Sequence, residues 1–263
     1  MRQIFPVAGP ELDVVPAVTE GALPPAIARL ADLYGNGPSR GTAARPWLRA
    51  NMIASADGAS ALAGKSGGLG GPADRMLFSV LRSLADVILV GAGTVRAEHY
   101  KPVAPSAVWS ALRAGRPATP PIAVVSASLD LHSCIRLLTE APPYAQTIIV
   151  TSADAIAKRG GEVPGQARVV AAGQDRVEVG SAVAALAALG YRRILAEGGP
   201  HLLGQLADAG LLDELCLTTS PVVASGTAGR VLTGSGDTAA RWSLEHVLTD
   251  AGFLFSRYVR PAD

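Results

Sequence analysis

The sequence RILAEGGPHLLGQLADAGLLDEL, residues 193–215, decides how the rest of the chain is organised. Its first four residues are typical of a short buried strand, which ends at Glu197. Gly198 and Gly199 follow as a turn without Cβ atoms, and Pro200 has the fixed φ that suits the first turn of a helix. The segment therefore predicts a strand, a glycine turn and a helix in direct succession.

The helix after this turn has an apolar face, formed by Leu202, Leu203 and Leu206, and Gly210 closes it. A strand that leads through glycines into a helix leaves N–H groups unpaired, and the helix dipole there favours an anion. The turn predicts a phosphate or pyrophosphate site, although an ordinary β–α turn has the same pattern. A carboxylate beside an anion is unfavourable unless it faces another part of the ligand, so Glu197 is predicted to face a substrate.

A second turn of the same kind supports this interpretation. Residues 86–90, DVILV, predict a buried strand that leads into GAGT, residues 91–94. Two such turns in one chain are less probable by chance than one. The Rossmann fingerprint does not fit, because Arg96 stands where its third glycine belongs. Another dinucleotide-binding fold is therefore expected.

The composition excludes several classes of protein. The 263 residues are 49% hydrophobic and 17% charged, with a formal net charge of +1, so no general attraction to nucleic acid or membrane is expected. Apolar runs are short, and the N-terminal residues lack the apolar core of a signal peptide. Two cysteines and four scattered histidines predict neither a disulfide framework nor a metal site. A cytoplasmic location is expected.

Strand, helix and glycine turn alternate over residues 47–215, which predicts a layered α/β domain with a mostly parallel sheet. Residues 1–44 are predicted to be a leader with a short helix, and residues 45–263 the main domain. Two β-rich runs, 241–249 and 253–260, predict an antiparallel hairpin at the edge of the sheet. Because soluble proteins rarely leave a long β edge bare, this edge predicts a dimer.

The glycine-rich stretch ALAGKSGGLGGP, residues 61–72, is longer than a simple connection requires. Loops of this kind beside a site commonly act as lids, and an idle surface loop is the alternative.

Four separated segments, read together, resemble the reductase domain of bacterial riboflavin biosynthesis. They are RPWLRANMIASADG (45–58), LADVILVGAGT (84–94), PIAVVS (121–126) and ILAEGGPHLL (194–203), the last followed by LLDEL. The resemblance implies a dihydrofolate-reductase-like α/β fold, with a mixed, mostly parallel sheet, flanking helices and a C-terminal antiparallel hairpin. The zinc-binding pattern of the deaminase that is fused to this domain in the family is absent, so a stand-alone reductase is expected.

The resemblance also implies NADPH as the cofactor and a homodimer as the assembly. Ser126 is expected near the adenosine 2′-phosphate, Met52 and Ile53 near the nicotinamide, and Glu98 in place of a cofactor-side aspartate. The full set of matching cofactor-binding positions is Met52, Ile53, Gly91, Ala92, Gly93, Thr94, Glu98, Ser126, Gly198, Gly199, Pro200, His201, Leu202 and Leu203.

Two carboxylates, Asp57 and Glu197, match acidic positions of the family and are expected to be catalytic. They would orient amino groups of the substrate or manage a proton, since a carboxyl group in an apolar cleft can keep a raised pKa. Both are also expected to bind the substrate, together with Arg82, which matches a ribose 5-phosphate arginine, and Ser66 in the glycine-rich loop. Asn51 stands where the family usually has lysine, and a second phosphate-binding arginine has no clear match.

The implied reaction is hydride transfer from NADPH to a pyrimidine or pterin-like molecule. In the family, the ribosylamino group of a diaminopyrimidinone or 5-amino-6-ribosylaminouracil phosphate becomes ribitylamino. Two alternatives stay open: a dihydrofolate or pterin reductase on the same scaffold, and a catalytically silent NADP-binding module. The presence of both Asp57 and Glu197 argues against the silent module, which has no need of two carboxylates facing a nicotinamide.

Overall fold

The computed structural model describes residues 1–5, 23–35, 45–234, 236 and 239–261. Within these residues the strands are β1 Arg2–Phe5, β2 Trp47–Ala54, β3 Val87–Gly91, β4 Ile122–Val125, β5 Ile148–Thr151, β6 Arg168–Ala171, β7 Arg193–Ala196, β8 Glu214–Thr219, β9 Ser243–Asp250 and β10 Phe253–Val259. The α-helices are α1 Pro25–Gly35, α2 Pro72–Leu84, α3 Ala92–Glu98, α4 Ala107–Leu112, α5 Ile135–Thr139, α6 Ala153–Arg159, α7 Val179–Ala188 and α8 Pro200–Asp208.

The ten strands form one sheet in the order β1-β9-β10-β8-β2-β7-β3-β4-β5-β6. The strands from β8 to β6 run parallel, whereas β10, β9 and β1 are each antiparallel to their neighbours. This confirms the predicted mixed, mostly parallel sheet with antiparallel C-terminal strands.

Both faces of the central parallel strands are buried. In β3, Val87 and Leu89 belong to one apolar cluster, which includes α7 and α8, and Ile88 and Val90 belong to another on the opposite face. A strand that is covered on both faces needs apolar residues at successive positions rather than at alternate ones. The run DVILV has this pattern, which explains why its strand could be predicted.

The predicted place of the C-terminal hairpin is wrong. β9 pairs with β10 on one side and with β1 on the other, so β1 is the outer strand at this end of the sheet. The short N-terminal segment hydrogen-bonds to β9 and removes the bare edge on which the dimer prediction was based. The homodimer itself stays a prediction.

The helix predicted within the leader is present as α1. Its Ile27, Leu30 and Tyr34 are buried in one cluster with Leu77 and Leu81 of α2, so α1 packs directly on the main domain. The rest of the predicted leader, apart from Met1, β1 and the two residues before α1, lies outside the described residues.

A buried charge cluster holds α1 to the sheet. Glu214 of β8 binds the guanidinium groups of Arg49 and Arg257, each at 2.8 Å. The two arginines also donate to the last carbonyl groups of α1, at Tyr34 and Leu33. Although burial acts to raise the Glu214 pKa, the charges of Arg49 and Arg257 outweigh it and lower that pKa to about 2.

Candidate active site

The two predicted glycine turns meet in the structure. β3 and β7 are parallel neighbours, so the turns that follow them lie at the same edge of the sheet. The Gly91 N–H donates to the Gly198 carbonyl at 2.8 Å. A Cβ atom on Gly199 would lie 2.8 Å from the Thr94 hydroxyl oxygen, closer than real Cβ contacts. A side chain at Gly199 would therefore force the Thr94 side chain to move, because the two turns approach each other so closely.

The N-terminus of α8 follows this contact. Gly199 is its N-cap residue, Pro200 begins it, and no side chain caps it. His201 and Leu202 line the adjoining cleft, so N–H groups of the first turn remain available to an anion there. The N–H of Leu203, in contrast, already donates to the Gly199 carbonyl, and the side chain is fully buried. The predicted cofactor contact of Leu203 is therefore not favoured.

A cleft of about 580 Å³, here called the central cleft, opens beside the glycine turns. It is bounded by β2, the glycine-rich loop, α2, α3 and the start of α8. Its lining includes Asn51, Met52, Ile53, Ser66, Asp74, Arg75, Phe78, Gly91, Gly93, Thr94, Glu98, Tyr100, Glu197, Gly199, Pro200, His201 and Leu202. Most residues predicted for the cofactor and the substrate therefore lie around one space.

A second cavity of about 640 Å³, the serine cavity, lies on the other side of the turns and shares Gly91, Gly93 and Leu202 with the central cleft. Its remaining lining residues include Ala92, Arg96, Ser126, Ser128 and Arg176. Ser126 lines this cavity, and its Oγ accepts from the Leu129 N–H. The two arginines were not assigned to a site from the sequence, and neither forms a salt bridge within the described residues.

The two cavities fit a dinucleotide. A nearly linear ligand can pass from the serine cavity, over Gly91 and Gly199, into the central cleft. Gly91 and Gly199 both line the central cleft, and the uncapped N-terminus of α8 begins beside them, so its N–H groups can bind a pyrophosphate there. The residues present therefore suit a nicotinamide dinucleotide.

Glu197 lies at the end of β7 on the wall of the central cleft and is buried. Its Oε1 accepts from Arg82 Nε and its Oε2 from Arg82 Nη2, both at 2.7 Å. Oε2 also accepts from the Tyr100 hydroxyl at 2.7 Å. A bidentate guanidinium stabilises a carboxylate, and three of its approximately four acceptor sites are now used. The carboxylate can accept one further hydrogen bond from a ligand.

The charge of Glu197 shifts the pKa values of its two partners, Arg82 and Tyr100. Burial acts to lower the Arg82 pKa, but the charge and hydrogen bonds of Glu197 outweigh burial and raise it. Burial and then the charge of Glu197 raise the Tyr100 pKa well above its ordinary value. The Arg82 guanidinium also lies 4.1 Å from the centre of the Phe78 ring. Arg82, which was predicted to bind the substrate phosphate, is therefore paired with Glu197 in this structure.

Asp57 lies in a different environment from Glu197. Its carboxylate is exposed, lies outside the described lining of the central cleft, and accepts from the Ser55 hydroxyl and the N–H groups of Ala224 and Ser225. The Ala224 N–H, the Ser55 hydroxyl and the Ser225 N–H lower its pKa to about 2. The expected raised pKa is therefore wrong for Asp57. The geometry favours a role in fastening the loop at Ala224 to the end of β2, and the catalytic role stays an untested prediction.

The glycine-rich loop lines the central cleft and is fastened to α3. Glu98 Oε1 accepts from the Ser66 N–H at 2.7 Å and from the Ser66 hydroxyl at 2.9 Å. Glu98 was predicted to bind the cofactor and Ser66 to bind the substrate, and the structure brings the two residues into contact. This contact ties the loop to the end of α3, as a closed lid requires.

A third cavity of about 520 Å³, the side cavity, adjoins the central cleft through Ser66, Phe78, Glu98 and Tyr100. The residues that line the side cavity alone include the potential cations Arg82, His99 and Lys101. A ligand can therefore keep a flat ring in the central cleft and extend a charged tail into the side cavity.

Sequence reasoning missed Asp74, Phe78 and Tyr100. Asp74 and Phe78 precede Arg82 by eight and four residues, so the three share one face of α2. That spacing was available in the sequence, but the apolar face of the same helix dominates its pattern. Tyr100 follows the end of α3 and carries no local signal of its own.

No helix in the described part of the chain is long and apolar enough to cross a membrane. Over the same residues there is no group of three or more histidine, cysteine, aspartate or glutamate side chains that could hold a metal ion.

Comparison with known proteins gives consistent matches. A model of the RibD C-terminal domain matches residues 46–253. The 2,5-diamino-6-ribosylamino-4(3H)-pyrimidinone 5′-phosphate reductase of Archaeoglobus fulgidus is 30% identical over 185 residues, which are 69% of this chain and 83% of that protein.

Solved structures show the same likeness. A pyrimidine reductase-like protein from Corynebacterium diphtheriae has a TM-score of 0.79 at 27% identity, with 89% of this chain and 99% of that chain covered. A deaminase/5-amino-6-(5-phosphoribosylamino)uracil reductase from Thermotoga maritima has a TM-score of 0.62 at 18% identity. The match covers 82% of this chain and 57% of that longer one, and at this identity it shows a shared fold alone.

Proposed function

The chain belongs to the RibD C-terminal domain family, and from this premise we propose that it uses NADPH to reduce the ribosylamino group of a ribosylaminopyrimidine 5′-phosphate in riboflavin biosynthesis. Membership makes the chain an oxidoreductase, and the family's reaction uses a nicotinamide cofactor. The observation that carries the proposal is the series of three adjoining cavities around Gly91, Gly199 and Glu197.

The cofactor would lie across the two glycine turns. The serine cavity would hold its adenosine end, Gly91, Gly199 and the first turn of α8 its pyrophosphate, and Met52 with Ile53 its nicotinamide ring. When bound, the reduced nicotinamide supplies the hydride for the reaction. The chain contributes by aligning donor and acceptor carbon atoms and by excluding water under the glycine-rich loop.

The preference for NADPH rests on the serine cavity. Arg96 and Arg176 are exposed there beside Ser126 and Ser128, without a carboxylate among the lining residues described. A 2′-phosphate adds charge that guanidinium and hydroxyl donors recognise through short, charge-assisted hydrogen bonds. NADH lacks this group and would leave the same donors without a partner.

The substrate would occupy the central cleft and the side cavity. Glu197, held by Arg82 and Tyr100, has one acceptor site left for an amino or hydroxyl group of the ribosylamino chain. In the open-chain form of this group, the hydride acceptor is the carbon of the C=N bond. We assign Glu197 to orienting that carbon, and Lys101 and His99 to the phosphate in the side cavity.

The test compares substrates under one set of conditions. Purified protein is supplied with NADPH and either a ribosylaminopyrimidine 5′-phosphate or dihydrofolate, and oxidation of the cofactor is followed together with product formation. We expect turnover of the phosphate at a rate far above that of dihydrofolate. Faster reduction of dihydrofolate would overturn the assignment in favour of a pterin reductase. NADPH binding without turnover of either compound would favour a silent binding module.

A further inference from the structure

We propose that the enzyme selects a pyrimidine ring with an amino group at C2, and that Asp74 is the residue that recognises it. The inference rests on the proposed function and deepens it, because that function leaves open whether the ring is a 2-aminopyrimidinone or a uracil. The two compounds differ in the substituent at C2. In the 2-aminopyrimidinone it is an amino group, which donates hydrogen bonds, and in the uracil it is a carbonyl oxygen, which accepts them. Discrimination therefore requires a group placed at this edge of the ring.

Helix α2 provides a row of three side chains along the site. Asp74, Phe78 and Arg82 are four residues apart, which places them on one face at steps of about 6 Å along the axis. Asp74 lines the central cleft, Arg82 lines the side cavity, and Phe78 lines both. The row thus offers a carboxyl group, an aromatic ring and a cation in the order in which an elongated ligand would meet them.

The charges of the two cavities orient such a ligand. The lining of the side cavity has three potential cations, Arg82, His99 and Lys101, against the Glu98 carboxylate. The central cleft has three carboxylates, Asp74, Glu98 and Glu197, against Arg75 and His201. The phosphate of the ribosyl tail therefore belongs in the side cavity. The heterocycle then lies in the central cleft, beside the Phe78 ring. In a pyrimidine that carries its tail at C6, the ring atom opposite the tail is N3. The edge that contains N3 therefore faces Asp74.

The chemistry of this edge separates the two rings. In a 2-amino-4(3H)-pyrimidinone, the C2 amino group and N3–H are adjacent donors, and one carboxylate can accept from both. In a uracil, N3–H lies between two carbonyl oxygens. A carboxylate can then accept one hydrogen bond, and its second oxygen is brought against a carbonyl oxygen, which is repulsive. Asp74 therefore favours the amino compound.

The surroundings of Asp74 fix its position. The Thr218 side chain of β8 lies beside its carboxylate and acts to lower its pKa, and a Cβ atom on Gly70 would lie 2.9 Å from Asp74 Oδ2. Burial raises the pKa of Asp74, against the opposing effects of Thr218 and Arg75. Asp74 is partly removed from water, and two N–H donors from a ligand would offset that loss of hydration.

The experiment measures kcat/KM for both 5′-phosphates, the diaminopyrimidinone and the aminouracil, with the wild-type protein, Asp74→Asn and the control Asp32→Asn. Asp32 is exposed on α1, outside all three cavities. The dissociation constants of both phosphates are measured as well, in the presence of NADP⁺, so that recognition is read without turnover. We expect the wild type and Asp32→Asn to favour the diaminopyrimidinone by at least about tenfold in both measurements.

The Asp74→Asn variant makes the sharper test. An asparagine amide accepts from N3–H and donates to the C2 carbonyl, so the ratio should shift by at least about tenfold toward the aminouracil. General damage to the fold lowers both rates and leaves the ratio unchanged. A wild-type preference for the aminouracil, equal use of both rings, or an unchanged ratio in Asp74→Asn would overturn the assignment. Selective binding without turnover would support Asp74 and reject the proposed function, whereas binding of neither phosphate would reject both.

Discussion

Arg82 and Glu197 form a bidentate ion pair between helix α2 and the end of strand β7, with both N–O distances at 2.7 Å. The pair lies where the central cleft meets the side cavity, and the Glu197 side chain is 2% exposed. A charge pair this well shielded from water keeps a fixed geometry because breaking it leaves an uncompensated charge. It therefore serves as a rigid support for whatever Glu197 contacts.

Replacement of Glu197 by Gln tests this support. The variant loses the charge that holds Arg82, and we expect kcat to fall roughly a hundredfold or more, the scale of a positioned catalytic group. Stability should fall by roughly 3 kcal/mol because the Arg82 guanidinium loses its carboxylate partner. NADPH affinity should barely change. Steady-state rates, denaturant titration and cofactor titration measure the three effects, with the exposed Glu162→Gln as the control. Wild-type kcat in E197Q would clear Glu197 of a catalytic role.

Replacement of Asp57 by Asn distinguishes a structural role, in which Asp57 fastens the loop at Ala224, from the role of a catalytic acid. Asp57 accepts from two backbone N–H groups at Ala224 and Ser225, and its carboxylate is exposed to water. Since its pKa is lowered to about 2, it carries no proton to donate near neutrality. We expect kcat to change by less than about tenfold and proteolysis near residue 224 to become faster. A loss of turnover comparable to that of E197Q would restore the catalytic assignment.

Replacement of Arg176 by Ala tests the assignment of the serine cavity. Loss of one charge-assisted contact to a 2′-phosphate should weaken NADPH binding at least about tenfold and leave NADH binding nearly unchanged. Calorimetric titration of both cofactors measures the change, and Arg136→Ala, which changes an exposed arginine on α5, is the matched control. If wild-type protein binds NADPH and NADH with equal affinity, the assignments of Arg176 and Ser126 are both refuted.

The cluster of Glu214, Arg49 and Arg257 predicts how stability depends on pH. The Glu214 pKa is about 2 in the folded protein and about 4.5 without the fold, so the cluster stabilises the fold fully above about pH 4.5. This contribution is lost as the pH falls from about 4.5 through about 2. Glu214→Gln should cost roughly 3–5 kcal/mol at neutral pH, and its deficit should shrink over the same acid range. Unfolding curves against pH measure this, with exposed Glu140→Gln as the control. A deficit that does not vary with pH would contradict the prediction.

We propose that the protein is a homodimer that uses the antiparallel end of the sheet. Ile4 and Phe5 on β1 and Leu254 on β10 are large hydrophobic side chains left 39–46% exposed there. Leu254→Asp should therefore shift the molecular mass in light scattering toward the monomer. Ile135→Asp, which changes a comparably exposed side chain on α5, should leave the mass unchanged. A wild-type monomer at micromolar concentration would refute the proposal.

Much of the fold could be predicted because its signals are local. The strand at residues 193–196 is followed directly by its glycine turn and its helix, as expected from the sequence. The alternation of strand, glycine turn and helix along the chain also predicts a parallel sheet. The N-terminal strand was missed because four residues carry too little pattern, and they form a strand only because β9 supplies the hydrogen bonds.

The sequence by itself determined which chemical groups this protein can use: glycine turns for a dinucleotide, two candidate carboxylates and an arginine. The tertiary structure decided which of these groups contact one another and whether each is buried or exposed to water. Glu197 pairs with Arg82, 115 residues earlier in the chain, and becomes buried, whereas Asp57 binds a loop 167 residues later and stays in water. Sequence patterns report the preferences of neighbouring residues. The charge state and role of a carboxyl group depend on its hydration and on partners that only the folded chain brings within hydrogen-bond distance.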